Sequence, residues 1–148
     1  KLQGEYNKYK GEFSEYVIMN HLKHRAYKQN DLYISMINNL PEDFRFVRYL
    51  SIWSYKAAPV HKTDIQVDIF AKGKDDEYSV IGEVKNRKTK FSLKEAEEFF
   101  EKASDVKRLE NVDRAVFFVF SASGFYKNAI KFLTDNNIVF SDNKRFLE

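Results

Sequence analysis

Residues 65–85 read IQVDIFAKGKDDEYSVIGEVK, and this stretch decides the fold. Two apolar segments, 65–71 and 78–85, flank a polar, glycine-bearing stretch at 72–77 of the kind that reverses an antiparallel pair. We predict a β-hairpin centred between Asp75 and Asp76. In that register Asp68 of the first strand faces Glu83 of the second.

The two acids of the hairpin, Asp68 and Glu83, would have Cβ atoms about 5 Å apart, where like charges repel. Lys85 falls on the same face, because side chains alternate along a strand with a period of two. Two acids beside a lysine indicate a cation site. The register is an assumption, since a slip of one residue would put the acids on opposite faces. The alternative is a solvated edge strand with a Glu-x-Lys triplet that arose by chance.

The strands that carry these acids are apolar on both sides. The odd-numbered residues of 65–71 are predicted to form one face, so Asp68 shares the other with Gln66 and Phe70. Strands of this kind are covered on both faces. A carboxylate on a covered face must be paired, hydrogen-bonded or bound to a metal, because burying it alone is costly.

A first helix is predicted from about residue 9 to residue 28, and it supplies a third acid. Glu15 starts a stripe at helical spacing. The other members of the stripe are Ile18, Met19, Leu22 and Ala26. We therefore expect Glu15 to face inward and to join the site, the alternative being a partly exposed glutamate near the helix end. Glu12 lies on another face and is expected to be solvated.

The remaining segments alternate between strands and helices. A short helix or turn is predicted at 31–39, and a strand at 44–55 precedes the hairpin. Ser92 is predicted to cap a helix that runs to about Glu110, with Glu95 completing a capping box. The apolar run 114–120 is predicted to be a buried central strand, and a helix that starts near 125 and ends at 136–137 precedes a last strand at 138–140. The element order is αβββαβαβ.

Composition fits one domain spanning all 148 residues, with 16% aromatic residues to form its core. The chain has no cysteine, which excludes disulfides and thiolate sites and fits a cytoplasmic protein. No apolar run reaches membrane-spanning length and no glycine-rich phosphate loop is present, so we expect neither a membrane partner nor nucleotide binding by that route. His21 and His24 share a helix face and are expected at the surface.

Basic residues are concentrated beside the proposed site, although the formal net charge is only +3. Between residues 82 and 94 five cations accompany a single acid, Glu83. These cations are Lys85, Arg87, Lys88, Lys90 and Lys94. A second basic loop carries Lys56, His61 and Lys62. Both loops suit contact with the phosphate backbone of DNA, the alternative being ordinary solvated loops.

The order of elements, with Glu15, Asp68 and Glu83-Val84-Lys85 in these places, resembles the PD-(D/E)XK nuclease superfamily over nearly the whole chain. Residues 10–15, Lys-Gly-x-x-x-Glu, are similar to the opening of the archaeal Holliday junction resolvases. Residues 120–125, FSASGF, are similar to a segment of the nuclease-type domains fused behind AAA+ ATPases. Val67 stands where the namesake proline of the superfamily would be.

The resemblance implies an α/β fold with a restriction-endonuclease-like core, in which helices flank a central mixed sheet. It implies a metal-dependent deoxyribonuclease in which Glu15, Asp68, Glu83 and Lys85 are catalytic. The acids and the carbonyl of Val84 would hold Mg²⁺ or Mn²⁺, and Lys85 would serve the attacking water. DNA is the implied partner, and the resemblance leaves open a homodimer and an AAA+ ATPase domain in the same polypeptide. The alternative function is a catalytically silent DNA-binding or regulatory module attached to such an ATPase.

Overall fold

The computed structural model describes residues 2–148, apart from the side chains of residues 2 and 7. Its helices are α1 (Leu2–His24), α2 (Asn30–Ser35), α3 (Leu93–Leu109) and α4 (Lys127–Asp135). Its strands are β1 (Ser51–Lys56), β2 (Gln66–Lys72), β3 (Ser79–Lys85), β4 (Ala115–Ser121) and β5 (Ile138–Ser141). Short 3₁₀ helices lie at Pro59–His61 and Lys144–Leu147. In the part of the chain that is described, every helix is too short or too polar to cross a bilayer.

The five strands form one mixed sheet in the order β1-β2-β3-β4-β5. β1, β2 and β3 pair antiparallel as a meander, and β3, β4 and β5 pair parallel. The parallel connections are made by α3 and α4, as crossovers between parallel strands require. The predicted α/β class, with a mixed sheet flanked by helices, is confirmed.

Apolar side chains cover both faces of the sheet. One face packs against α1 and α2 through a cluster that includes Ile18, Leu22, Ile69 and Phe118. The opposite face packs against α3 and α4 through a cluster that includes Val67, Phe70, Ile81, Phe99 and Leu133. The central strands β3 and β4 are therefore covered on both sides, which explains their continuous apolar sequence.

The start of α3 confirms the predicted capping box. Ser92 Oγ accepts a hydrogen bond from the Glu95 backbone N–H, with an N···O distance of 3.2 Å. In return, the Ser92 backbone N–H donates to Glu95 Oε1 at 3.0 Å. The cap satisfies N–H groups that an α-helix leaves without a partner at its first turn. It starts α3 eight residues after the end of β3, so the helix returns across the sheet above that strand.

The strand predicted at 44–55 is largely wrong, because only its last part, from Ser51, enters the sheet. Phe44 and Phe46 are nevertheless buried, and their rings meet edge to face with centroids 4.9 Å apart. The apolar alternation of this segment reflects packing of an irregular stretch into the core. Without a partner strand, such a pattern does not specify sheet pairing.

The expectation that His21 lies at the surface is also wrong. Its side chain is buried, and Nδ1 lies 2.6 Å from the hydroxyl oxygen of Tyr33. Burial lowers the pKa of His21, and the nearby charge of Arg25 lowers it further. The side chain also meets the ring of Phe146 edge to face, because the second 3₁₀ helix packs against α1 on this side. His24 is exposed, as expected.

Candidate functional site

The candidate site forms where the pairing of β2 with β3 ends. Three pairs follow the predicted register, and the last of them joins Ile69 to Gly82. Beyond that pair the Val84 backbone N–H donates to Asp68 Oδ2, with an N···O distance of 2.8 Å. The carboxylate thus takes the place of a backbone carbonyl. Asp68 and Glu83 are not a ladder pair, although the register of the hairpin is correct.

A β-bulge in β2 explains the orientation of the Asp68 side chain. The pair of Trp53 with Phe70 is followed by the pair of Tyr55 with Val67, so one residue of β1 opposes two residues of β2, Asp68 and Ile69. The extra residue reverses the alternation, and Val67 consequently packs in the same cluster as Phe70. The prediction that the odd-numbered residues of 65–71 share one face is therefore wrong. Bulges of this kind re-aim side chains and are common beside active sites.

Glu15 of α1 reaches the half-buried Asp68, as the stripe on the first helix predicts. Burial raises the pKa of the Glu15 carboxyl to about 8, and the charge of Asp68 and a hydrogen bond to it contribute next. The charges of Glu12 and Glu83 contribute less, in the same direction. Glu15 is therefore largely protonated at neutral pH. Its carboxyl group can lie against the Asp68 carboxylate without the full repulsion between two negative charges. Glu12 itself is exposed, as expected.

Glu83 is buried, with 8% of its surface exposed, and it lies between two lysines. Its Oε1 lies 3.3 Å from Lys102 Nζ and its Oε2 lies 3.8 Å from Lys85 Nζ. Burial raises the pKa of Glu83 and the charge of Asp68 raises it further, whereas the two lysines oppose the shift. The Glu83 carboxylate is therefore repelled by the charge of Asp68 and attracted by two ammonium groups.

Lys102 of α3 is the residue that the sequence analysis missed. It follows Phe99 by three residues and precedes Ala103, both of which are buried. It therefore lies at the edge of the inward face of α3, where a long side chain can extend along the sheet while its ammonium reaches a buried acid. A cation bordering a buried helical stripe was the available signal. A cavity of about 540 Å³ beside these groups is lined by Glu83, Lys85 and Lys102, among others.

The donor atoms of the site suit a hard divalent cation, but their present arrangement does not enclose one. Carboxylate oxygens are the ligands that Mg²⁺ and Mn²⁺ prefer, and Mg²⁺ needs only one or two of them. Burial and mutual repulsion raise the pKa values of Glu15 and Glu83, and a bound cation would relieve that repulsion. Among the described residues, no three His, Asp or Glu side chains come together as a ready ligand group. The ion pairs from Lys85 and Lys102 hold the Glu83 oxygens in their present position.

Most of the predicted DNA-contacting cations are exposed. They are Lys56, Lys62, Lys88, Lys90 and Lys94. Arg87 differs, because its guanidinium forms an ion pair with Glu95 Oε1 at 2.6 Å and donates to the carbonyls of Thr89 and Lys90. Arg87 therefore fixes the loop that presents its lysine neighbours. His61 likewise lies 3.8 Å from Glu110 rather than free in its loop.

Comparisons with protein-family models, with curated proteins and with solved structures find no match. The interpretation of the site therefore rests on its own residues: two acids on neighbouring strands, a third on α1, and two lysines. These groups converge at one end of the hairpin, whose strands are covered by apolar clusters on both faces.

The raised pKa of Glu15 predicts a pH-dependent stability. Between its ordinary value of 4.5 and about 8, folded protein retains a proton that unfolded chains release. The free energy of unfolding of the metal-free protein should therefore decrease as the pH rises through this range. Glu15→Gln should reduce that decrease, and Glu83 should account for part of what remains. Denaturant titrations in EDTA at several pH values measure the effect.

The matched control for Glu15→Gln is Glu97→Gln, which changes an exposed glutamate of α3 in the same way. The control should follow the wild-type pH profile. If Glu15→Gln also follows that profile, the carboxyl group of Glu15 is not held in the shared environment described above.

Proposed function

We propose that this protein is a divalent-metal-dependent DNA endonuclease that hydrolyses phosphodiester bonds on a restriction-endonuclease-like core. The observation that supports the proposal is the convergence of Glu15, Asp68 and Glu83 with Lys85 where β2 and β3 separate. Acids placed this close together are costly for a fold to maintain, because burial and the charge of Asp68 oppose ionisation of Glu15 and Glu83. Perturbed acids that cluster beside a cavity favour a functional rather than a structural role.

Asp68 and Glu83 would hold the ion, with Glu15 completing the acidic group. When bound, Mg²⁺ or Mn²⁺ supplies charge neutralisation and an activated water for phosphodiester hydrolysis. Asp68 is held in position by the Val84 N–H, which donates to one of its oxygens, and by its hydrogen bond with Glu15. Glu15 would deprotonate on joining the ion, so affinity for the ion should increase with pH.

Lys85 and Lys102 change partners in this proposal. In the metal-free protein both ammonium groups neutralise Glu83. If Glu83 is neutralised by a bound Mg²⁺ or Mn²⁺, the two lysines become available to contact a phosphate oxygen of the DNA. Lys85 is then placed to orient the attacking water or to stabilise the charge that develops on phosphorus, and Lys102 adds a second positive charge from α3.

Contact with DNA would fall to the loop between β3 and α3 and to the first turn of α3. Lys88, Lys90 and Lys94 are exposed there, in the segment that follows Glu83 and Lys85 along the chain. The ion pair of Arg87 with Glu95 holds the loop in place, so Arg87 acts on DNA binding through loop position. Lys56, at the end of β1, and Lys62, in the loop that follows it, would add further exposed positive charges. Contacts of this kind bind phosphate without reading sequence.

The second candidate function is a catalytically silent DNA-binding or regulatory module attached to an AAA+ ATPase. The ion pairs of Glu83 with Lys85 and Lys102 favour it, because they already neutralise the most buried acid without a metal. In that case the acids and lysines form a structural cluster, while the exposed lysines still bind DNA. Metal binding and cleavage separate the two functions.

The first test is thermal. Mn²⁺ or Mg²⁺ should raise the melting temperature, because a ligand of the folded state at a hundred times its Kd adds about 2.7 kcal/mol of stability. Asp68→Asn should remove that response. The variant should be as stable as wild type without metal, or slightly more so, because a repelling charge is lost while the amide oxygen can still accept from Val84.

Asp64→Asn provides the control for this test, since Asp64 is exposed just before β2. It should respond to metal as wild type does. A metal response that persists in Asp68→Asn would place the ion elsewhere on the chain.

The second test is cleavage of plasmid, branched and single-stranded DNA in Mg²⁺ or Mn²⁺. Lys85→Ala should lower the rate by roughly 10²–10⁴ while DNA affinity is largely preserved, because stabilising a transition state is distinct from ground-state binding. Lys107→Ala, a change in the last turn of α3, should leave the rate unchanged. If wild type cuts none of these DNAs yet binds them with a steep salt dependence, the regulatory module is the better function.

The third test concerns the basic loop. Charge reversal by Lys88→Glu with Lys90→Glu should weaken DNA binding at every sequence and reduce its salt slope by roughly one for each lost phosphate contact. Lys74→Glu with Lys144→Glu makes the same change in net charge at exposed positions away from this loop. If both double variants lose the same amount of DNA affinity, net charge alone, rather than this loop, determines binding.

A further inference from the structure

The outer face of α1 carries a row of exposed aromatic side chains. Tyr6, Tyr9, Phe13 and Tyr16 are 59%, 66%, 51% and 58% exposed. The rings of Tyr9 and Phe13 stack with centroids 6.1 Å apart. At 100° per residue these side chains share one side of the helix, opposite the buried Ile18. A contiguous apolar row of this length on a helix marks an interaction surface.

The row follows the spacing of a coiled-coil seam. Steps of three, four and three residues place Tyr6 and Phe13 at heptad positions a, and Tyr9 and Tyr16 at positions d. The next position a is Asn20, and in the sequence Leu2 occupies the preceding position d. An asparagine at one position a is a known determinant of register and of two-stranded pairing, because it pairs with the same residue of the partner helix.

The first half of α1 lacks support from its own domain. A Cβ atom added at Gly4 or Gly11 would find no described neighbour within 4 Å. Glycine weakens a helix relative to alanine, and both glycines lie at heptad positions f, on the side facing away from the seam. A helix that extends beyond its domain, with two glycines and a bare aromatic row, needs packing from outside.

The flanking charges select both the partner and the orientation. Glu5 and Glu12 occupy positions g, and Lys10 occupies position e; the described structure gives these side chains no ion pair. In a parallel pair of identical helices, position g meets position e five residues on in the partner, so Glu5 meets Lys10 twice. In the antiparallel pair Lys10 meets Lys10 and Glu12 meets Glu12. The charges therefore favour two parallel copies.

We propose that two copies of this chain associate through α1 as a parallel two-stranded coiled coil. Aromatic side chains bury roughly 150–250 Å² each when fully covered, so the exposed parts of eight such rings cover on the order of 1,000 Å². That area reaches the lower bound of specific interfaces. The surface lies on the face of α1 opposite Ile18, so the inference goes beyond the proposed nuclease function and does not depend on it.

Sedimentation equilibrium of the 148-residue chain should give twice the monomer mass of 17.6 kDa. Tyr9→Glu with Phe13→Glu should give a monomer with an unchanged circular dichroism signature of the sheet domain. Tyr126→Glu is the control, because Tyr126 is exposed to the same extent as Phe13, 51%, but lies outside α1. A wild-type monomer at all concentrations, or a dimer that survives the double change, overturns the proposal.

Orientation is tested by charge exchange and by cross-linking. Glu5→Lys alone and Lys10→Glu alone should each raise the dimer Kd by about five-fold, and the two changes together should restore it. Tyr6→Cys supplies the only thiol of a cysteine-free chain and should form a disulfide between copies on oxidation. In an antiparallel pair two such thiols lie about 15 Å apart along the axis and do not join. A dimer that cross-links only as Tyr6→Cys with a Tyr16→Cys partner overturns the parallel arrangement.

Discussion

The site depends on the hydrogen bond from the Val84 N–H to the Asp68 carboxylate, formed where the β2–β3 ladder stops. A backbone N–H left without a partner in a covered strand would be costly, and a carboxylate is a stronger acceptor than the carbonyl it replaces. The bond therefore offsets the cost of leaving the Val84 N–H without a backbone partner where the two strands separate. It also fixes the acid between β3 and α1. Without the bulge at Asp68 and Ile69, the carboxylate would not have this position.

The electrostatics of the site consist of competing partners for a small set of acids. Burial and the charge of Asp68 raise the pKa of Glu15 and favour its protonated form. The charge of Asp68 also raises the pKa of Glu83, whereas the ammonium groups of Lys102 and Lys85 lower it. Such a cluster can respond to a cation, to a phosphate or to pH, because each would change which charges remain unpaired. A purely structural ion pair would not need the third acid.

The first helix carries two unrelated faces. Its inner side contributes Ile18 and Leu22 to the core and delivers Glu15 to the site, which requires that the helix be held firmly against the sheet. Its outer side presents Tyr9 and its aromatic neighbours to solvent at coiled-coil spacing. A partner on the outer face would support the part of α1 that extends beyond the domain. It would do so without contacting the acids of the candidate site, Glu15, Asp68 and Glu83.

Local sequence patterns determined the elements whose signals are contained within a few residues. The hairpin register, the Ser92 capping box and the inward stripe that begins at Glu15 all follow from turn chemistry and periodicity. Only the tertiary structure decided which of the apolar segments found a strand partner. Phe44 and Phe46 are buried without one, and His21 is buried because a distant 3₁₀ helix covers it.

In the candidate site, too, some features follow from local sequence patterns and others from tertiary packing. Its acids and Lys85 were predictable, since they follow from the hairpin and from helical periodicity. The bulge that aims Asp68 was not, because it arises from how β1 and β2 pair over a long separation in the chain. Nor was the ion pair of Lys102 with Glu83, which joins residues 19 positions apart through the packing of α3 on the sheet. Sequence periodicity predicts which face of a helix or strand a side chain lies on. The residue that it contacts depends on how the other helices and strands pack in the tertiary structure.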